Sequence, residues 1–177
     1  TLSLTPDWHG SLPQQAKVDV LERQGVDLNP LDLRAPDQRL RLLAYLWPDQ
    51  PHRAQLTSAA IDGLAANVAH AIDWLANRLD DPKPGSLHFV FHTVAWQYFP
   101  TAAQARGTRL IEEAGARATA QAPLAWFGME NDGAEKGAAL TLRLWPGDHT
   151  FDMGRADFHG RWVVFDPRDS DDPRTAK

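Results

Sequence analysis

The segment SLHFVFHTVAW, residues 86–96, constrains the fold more strongly than any other part of the sequence. Aromatic and β-branched residues fill both of its alternating faces, so it is too apolar for a strand that has one face in water. The preceding PKPG, residues 82–85, ends the element before it. The segment therefore predicts a central, parallel strand of the kind found inside layered α/β domains.

Helix-like segments alternate with strand-like segments along the chain, as in an α/β domain. Pro36 fits the first turn of a helix that continues with leucines at helical spacing. A second helix begins near Asp49 and keeps its apolar spacing almost unbroken, with a short strand at residues 67–70 left as an alternative. A third helix is predicted over residues 101–114, and Gly115 would follow its last turn.

The remaining apolar runs predict strands. They are TLSLTPDWHG (1–10), KVDVLERQGVDL (17–28), APLAWFGME (122–130), AALTLRLW (138–145) and GRWVVF (160–165). The last two are expected to pair antiparallel, because no crossover helix lies between them. The tail from residue 167 has too few apolar residues to pack and is predicted to be disordered. We therefore expect a single α/β domain over residues 1–166.

Composition excludes several classes of function. The chain has 177 residues and 43% hydrophobic residues, enough for one full core. With 18 basic and 23 acidic residues the net charge is -5, so the chain offers no general attraction for nucleic acid. The absence of cysteine excludes thiolate catalysis and thiolate zinc sites, and a cytoplasmic location is the default expectation. No apolar run is long enough for a membrane span, and neither a nucleophile-elbow G-x-S-x-G nor a phosphate-binding G-x-x-x-x-G-K is present.

RQGVDLNPLD, residues 23–32, has two interpretations. Asp27 follows a β-leaning run, so its carboxylate would stand at the carboxyl end of a strand, where open α/β sheets bind ligands. It is then a candidate for hydrogen bonds to the ribose of a nucleotide cofactor. Alternatively, Asp27, Asn29 and Asp32 are turn residues whose short side chains bond neighbouring backbone N–H groups.

Six blocks of the sequence carry a resemblance to a known family. They are RQGVDLNPLD, AYLWPDQPHR, FHTVAWQYF, APLAWFGME, LRLWPG and HGRWVVF. Together they resemble the carboxyl-terminal half of the bacterial domain-of-unknown-function family 2332, over nearly the whole chain except the tail. The order of strands and helices also resembles the later part of class I S-adenosylmethionine-dependent methyltransferases.

This resemblance implies a three-layer Rossmann-like fold with a mostly parallel sheet and an antiparallel carboxyl-terminal strand pair, lacking the first strand with its glycine loop. None of the 12 glycines stands in a G-x-G arrangement, so the chain carries at most half of a cofactor site. The absent strand would lie between the strand ending at Asp27 and the strand through Phe89 and Phe91, and unpaired edges invite association. Because the chain starts at Thr1, we expect the pairing to come from a missing N-terminal half or from another copy of the chain.

The resemblance also implies a cofactor site. Asp27 or Asp32 would accept hydrogen bonds from ribose hydroxyls, since a carboxylate is a strong acceptor. His70 and Ala71 would face the adenine, although the family often has an acidic residue where His70 stands. S-adenosylmethionine is therefore expected to bind the longer protein, and no cofactor is expected to bind this chain alone.

A second set of residues would stand at the carboxyl edge of the sheet, where this fold places groups that face the substrate. His92 is the best candidate for a general base, with Tyr98 as a second catalytic candidate. Thr93, Gln97 and Glu130 are the candidates for substrate binding. Each has a plainer alternative, because a histidine at a strand end often only bonds backbone and Glu130 also suits a surface ion pair.

Metal binding is not expected. His88 and His92 are four residues apart, which on a helix would suit one ion but on a strand separates them by roughly 13 Å. Asp157 and His159 form a looser polar cluster between the last strands, and such clusters are usually turn residues.

Three hypotheses about function remain. The first is a part of an S-adenosylmethionine-dependent methyltransferase that binds a small-molecule acceptor. The second is a methyltransferase-like module that has lost catalysis and only binds. The third is a domain whose self-association completes the sheet. Fold resemblance sets the expectation for the first two hypotheses but does not prove either.

Overall fold

A computed structural model describes residues 4–27, 30–62 and 68–170, the backbone alone being described for residues 68–71. The chain forms two compact units. Unit 1 comprises Thr1–Leu4 and Ala16–Trp74, and unit 2 comprises Thr5–Gln15 and Leu75–Lys177. The single α/β domain expected from the sequence stays a prediction, and the two units are described separately below.

Strands and helices alternate through the described residues. The strands are β1 (Asp7–His9), β2 (Gly25–Asp27), β3 (Val68–His70), β4 (His88–Thr93), β5 (Leu124–Glu130), β6 (Ala138–Trp145), β7 (His149–Ala156) and β8 (Trp162–Asp169). The helices are α1 (Pro36–Ala44), α2 (Pro51–Asp62), α3 (Ala71–Leu79) and α4 (Thr101–Arg117), and a short 3₁₀ turn covers Trp96–Tyr98. The predicted α/β class is confirmed at this level.

The sheet of unit 2 is open and has the strand order β1-β8-β7-β6-β5-β4. The pairs at its two ends, β1 with β8 and β4 with β5, are parallel. The three pairs between them are antiparallel. The sheet is therefore mixed, and its parallel β4–β5 pair carries the residues expected at the substrate edge.

The core of unit 2 lies where α4 packs on β5 and β6. Ile111 of α4 is fully buried, and Trp145 of β6 is 5% exposed. Gly115 belongs to this contact, because a Cβ atom on it would lie 2.5 Å from the Trp145 ring. The prediction that Gly115 ends the helix is therefore wrong. The glycine allows close packing inside α4, which continues to Arg117.

Unit 1 contains the parallel pair β2–β3 and the helices α1 and α2. Pro36 occupies the first turn of α1, as predicted, and Arg39 joins the two helices through an ion pair with Asp62, 2.6 Å between Nη2 and Oδ1. The short strand left open at residues 67–70 is present as β3. The strand predicted over residues 17–28 is much shorter, since β2 covers only Gly25–Asp27 and the apolar side chains before it are exposed.

The carboxyl-terminal strands differ from the prediction in one respect. β6 and β8 do not pair with each other, because β7 lies between them and pairs with both. The turn before β7 uses Gly147 and Asp148, both with positive φ, and the segment HTFDMGRA that follows is a strand that the sequence analysis did not predict. β8 continues to Asp169, so residues 167–169 belong to a strand and not to a disordered tail. Residues 171–177 of the predicted tail lie outside the described residues.

Strand β4 is parallel, as predicted, but it is not central. Within the described residues it pairs with β5 on one side only and forms the edge of the six-stranded sheet. Its side chains alternate between half-buried and exposed positions. The prediction of a parallel strand is therefore confirmed, but the prediction of a central strand buried on both faces is wrong for the described residues, because Phe89 and Phe91 are exposed on one face.

Candidate functional site

The carboxyl ends of β4 and β5 bring the predicted substrate-edge residues together. The strands are parallel, with His92 opposite Gly128 and Thr93 opposite Met129 in the register. His92 near the end of β4 and Glu130 at the end of β5 therefore emerge at the same edge of the sheet, where open α/β sheets bind ligands. We refer to this group, with Trp96 and Trp126, as the His92 cluster.

His92 and Glu130 form a close pair. Nδ1 of His92 lies 2.7 Å from Oε1 of Glu130, and the side chains are 14% and 20% exposed. The same carboxylate oxygen accepts hydrogen bonds from the backbone N–H groups of Ala95 and Trp96, each at 3.0 Å. Glu130 is therefore held by the chain that follows β4, which fixes its position relative to the imidazole.

The protonation of the pair follows from these contacts. Burial raises the pKa of Glu130, but the hydrogen bonds from Ala95, His92 and Trp96 lower it and prevail, so its pKa lies below the ordinary glutamate value. An ionised carboxylate can only accept, so the hydrogen of a neutral His92 ring is assigned to Nδ1. Nε2 then carries the lone pair and has no hydrogen-bond partner among the described residues. A histidine in this tautomer can accept a proton at Nε2.

An unusual backbone turn builds the pair. Val94 has a φ of 49°, which is uncommon for any residue except glycine and rarer still for a β-branched one. Its N–H donates to the carbonyl of Met129 at 2.7 Å, and the chain then turns so that the next two N–H groups reach Glu130. Backbone strain of this kind tends to cluster at functional sites.

Aromatic rings fix the plane of the imidazole. Trp96 stacks on His92 with 4.9 Å between ring centroids and 23° between planes. Trp126 lies 5.9 Å away in a tilted arrangement. On the opposite strand, a Cβ atom on Gly128 would lie 3.1 Å from both Cε1 of His92 and Oγ1 of Thr141. The glycine thus leaves room beside the imidazole.

Two polar atoms of the cluster lack partners. Oε2 of Glu130 and Nε1 of Trp126 are both buried, and neither has a hydrogen bond within the part of the chain that the structure describes. Buried polar groups are nearly always paired with protein or water. Oε2 of Glu130 is therefore an acceptor, and Nε1 of Trp126 a donor, that could each form one more hydrogen bond.

The other predicted substrate residues lie at the rim of the cluster. Oε1 of Gln97 accepts a hydrogen bond from the backbone N–H of Asn131 at 3.2 Å, so this side chain ties the 3₁₀ turn to the chain after β5. Thr93 is exposed on β4. Tyr98 is 71% exposed.

The predicted cofactor residues separate into two environments. Asp27 ends β2 and stands opposite His70 in the β2–β3 register, and Ala71 begins the following helix. Asp32 instead receives Nε and Nη2 of Arg34 at 2.8 Å and 3.2 Å. The side-chain and backbone hydrogen bonds from Arg34 lower the pKa of Asp32. Asp27 therefore lies at the end of a strand, and the carboxylate of Asp32 is engaged in a local turn.

The polar cluster between β7 and β8 has a structural explanation. Asp157 is 5% exposed. It accepts hydrogen bonds from Nη2 and Nε of Arg161, at 2.7 Å and 2.9 Å, and from the backbone N–H of His159. These bonds, of which those from the Arg161 side chain are the strongest, hold the pKa of Asp157 well below its usual range. The carboxylate thus closes the β7–β8 hairpin.

The described residues contain neither a metal-binding cluster nor a membrane-spanning helix. Residues 4–27, 30–62 and 68–170 contain no group of three or more histidine, aspartate or glutamate side chains placed to hold a metal ion. Within the same ranges, none of the helices combines the length and the apolar character needed to cross a membrane.

Sequence reasoning missed several residues beside the His92 cluster. Val94, Gly128 and Thr141, which adjoin the cluster, were not singled out. The glycine could have been found by placing APLAWFGME parallel to HFVFHT, since the resulting register sets Gly128 beside His92. The backbone turn at Val94 leaves no signal in the residue type, because valine is disfavoured there.

Comparison with known proteins identifies the family. No curated protein matches the chain, and no solved structure matches it. The model of a family described as "Uncharacterized protein conserved in bacteria (DUF2332)" matches residues 1–165. The match covers most of the chain, and the chain therefore belongs to the DUF2332 family.

Proposed function

We propose that this chain is the acceptor-binding part of a methyltransferase-like enzyme, in which His92 acts as the general base. The observation that carries the proposal is the pairing of His92 Nδ1 with an ionised Glu130, 2.7 Å apart at the carboxyl edge of two parallel strands. This pairing leaves Nε2 as the basic atom, and the indole rings hold the ring in place.

The chemistry assigned to this chain is proton transfer. Nε2 of His92 takes a proton from an O–H or N–H group of a small-molecule acceptor, and the electron pair of that bond stays on the acceptor as it becomes nucleophilic. Glu130 stabilises the imidazolium that forms, because its carboxylate faces Nδ1–H.

The cofactor belongs to the same proposal. Bound S-adenosylmethionine would supply an electrophilic methyl group. Asp27 would hold its ribose hydroxyls, and His70 with Ala71 would lie near the adenine, in a cofactor site that the glycine loop of a longer protein would complete. Asp32 has no part in the proposal, because Arg34 already occupies its carboxylate.

Calorimetric titration of S-adenosylhomocysteine into the longest natural protein tests the cofactor half of the proposal. We expect binding that weakens at least tenfold in Asp27→Ala and changes less than twofold in the matched variant Asp32→Ala. This chain alone is the negative control. Equal affinity of the parent and Asp27→Ala would remove Asp27 from the site.

A second candidate is a module that binds a ligand without catalysing a reaction. His70 favours it, since it stands opposite Asp27 where the family often has an acidic residue. In this case the longer protein would not bind S-adenosylhomocysteine. His92→Asn would then leave ligand affinity unchanged, because no proton needs to be moved.

A further inference from the structure

We propose that the acceptor is a phenol, whose hydroxyl binds beside Gly128, between Nε2 of His92 and the hydroxyl of Thr141. This inference rests on the proposed general base and adds the binding place and the chemical class of the acceptor. It uses residues of unit 2 alone. We refer to the space above Gly128, between these two side chains, as the Gly128 notch.

Three neighbouring strands form the notch. In the register, His92 of β4 lies opposite Gly128 of β5, and Gly128 lies opposite Thr141 of β6. Residues opposite one another in a sheet project from the same face, so the imidazole and the hydroxyl stand on either side of a residue without a side chain. β4 and β6 are roughly 10 Å apart, twice the usual spacing of strands, which leaves a gap between the two side chains.

The proposed basic atom borders this gap. The position that a Cβ atom on Gly128 would occupy lies 3.1 Å from Cε1 and 3.5 Å from Nε2 of His92. The same position lies 3.1 Å from Oγ1 of Thr141. Nδ1 of the ring is turned to Glu130 instead. Nε2 and the Thr141 hydroxyl therefore face one small space, and an oxygen atom above Gly128 would meet both.

Thr141 is available to a ligand. It is exposed on β6, and in the described part of the chain its hydroxyl makes no hydrogen bond. The pairing of β6 with β7 shifts its register between Leu140 and Thr141, and irregularities of this kind are frequent beside active sites, where they re-aim a side chain. The hydroxyl can donate a hydrogen bond to an oxygen that gains negative charge as Nε2 takes its proton.

The charges around the notch favour an uncharged acceptor. Arg143 stands two residues beyond Thr141 on the same face of β6. Its guanidinium already pairs with Glu112 at 2.7 Å and with Asp148 at 2.8 Å, so its charge is neutralised. The ionised Glu130 lies on the other side of His92 and would repel an anion. A carboxylate or a phosphate is therefore not the favoured acceptor.

An aromatic ring suits the wall of the notch. Trp126 precedes Gly128 by two residues on the same face of β5 and is half-buried, which places its indole next to the notch. Aromatic rings bind other aromatic rings favourably. A phenolic hydroxyl, with an ordinary pKa of about 10, also gives its proton to an imidazole more readily than an aliphatic hydroxyl does. These two properties select a phenol among the uncharged acceptors.

Titration of the longest natural protein with 4-nitrophenol tests the proposal, because the absorbance of this probe reports both its binding and the loss of its proton. The titration is run at a pH at which the free probe is mostly un-ionised. We expect saturable binding with ionisation of the bound probe. Competition with 4-nitroanisole, which has the ring but lacks the hydroxyl, should show at least fivefold weaker binding.

Variants of the notch locate the bound probe. Thr141→Val keeps the shape of the side chain without its hydroxyl and should weaken binding at least fivefold, whereas Thr141→Ser should bind within twofold of the unmodified protein. Gly128→Ala should weaken binding at least tenfold, because its methyl group fills the notch. Thr150→Val, opposite Arg143 on β7, is the matched control and should leave the affinity unchanged. Circular dichroism spectra verify that each variant is folded.

The outcomes separate this proposal from the proposed function. Equal affinity of the unmodified protein and Thr141→Val, equal affinity for the two probes, or no binding of 4-nitrophenol would overturn the phenol proposal. The proposed function would still stand if S-adenosylhomocysteine binds and His92 carries its hydrogen on Nδ1. Binding that depends on Thr141 but leaves the probe un-ionised would support the notch as the binding place and contradict the general base.

Discussion

The turn after β2 and the edge formed by β4 and β5 both follow parallel strands, yet they hold their carboxylates differently. Asp32 is bound by Arg34, two residues away in the chain, and both side chains are exposed. Glu130 is bound by His92, Ala95 and Trp96, which are 34 to 38 residues away, and is 20% exposed. The Asp32 contact is between residues close in the sequence and forms within a turn. The Glu130 contacts join residues far apart in the sequence, so they form only when the chain folds.

The largest expected difference between the two regions is in stability. Glu130→Ala leaves the N–H groups of Ala95 and Trp96 and the Nδ1 of His92 without their acceptor, and unpaired buried groups cost about 1–3 kcal/mol each. We expect the free energy of unfolding in urea to fall by about 3 kcal/mol. Asp32→Ala is the matched control, and it should leave the unfolding midpoint nearly unchanged because its ion pair is exposed. Equal losses in both variants would show that the two carboxylates do the same structural work.

A smaller effect is expected from crowding the imidazole. Gly128→Ala would place a methyl group 3.1 Å from both Cε1 of His92 and Oγ1 of Thr141. Overpacking of this kind lowers the free energy of unfolding by about 1–3 kcal/mol. Here a small shift of two side chains relieves the close contacts, so we expect a loss of about 1 kcal/mol. The side-chain resonances of His92 should move in the NMR spectrum. Unmoved resonances would mean that the ring does not lie beside Gly128.

The contributions of Glu130 and Asp32 to the free energy of unfolding should respond differently to acid and to salt. The pKa of Glu130 is below its ordinary value in the folded state, so its stabilisation is present above an unfolded pKa of about 4.3 and is lost as the pH falls through the folded value. Glu130→Gln should therefore flatten the loss of stability in acid. In the unmodified chain, the dependence of the free energy of unfolding on pH should persist in about 1 M salt. Salt at this concentration screens exposed ion pairs such as Asp32 with Arg34. Disappearance of the Glu130 contribution in salt would contradict its partial burial.

The smallest effect concerns the backbone turn that distinguishes the β4 edge. Val94→Gly removes a side chain from a position with positive φ, so the relief of strain offsets the lost packing, and we expect a change within about 0.5 kcal/mol. Val90→Gly, in the regular part of the same strand, should cost about 1 kcal/mol or more. A larger loss at Val94 than at Val90 would show that its side chain, and not its conformation, matters there.

Sequence reasoning identified elements whose signal is local. The helices at Pro36 and Thr101 and the strand through Phe89 were predicted because spacing and composition repeat over neighbouring residues. Gly115 was misread because its role depends on Trp145, a contact between α4 and β6. β7 was missed for a similar reason, since its partners rather than its composition define it as a strand.

The candidate site was predictable in part. His92 and Glu130 were named separately as strand-end residues, and the parallel register brings them to 2.7 Å. Nothing in the sequence specifies that Ala95 and Trp96 point their N–H groups at the same carboxylate, because that requires the unusual φ of Val94. Sequence can place residues at an edge, but the turn that assembles them depends on three-dimensional packing.

The tautomer of His92 tests the proposed general base most directly. Long-range ¹H–¹⁵N correlation spectra of the neutral imidazoles, with His92→Gln to assign the signal among the seven histidines, distinguish Nδ1–H from Nε2–H. We predict that His92 carries its hydrogen on Nδ1 and that Glu130→Gln changes the tautomer ratio. A His92 signal with hydrogen on Nε2 in the unmodified chain would contradict the proposed role, because the atom assigned as the base would have no free electron pair.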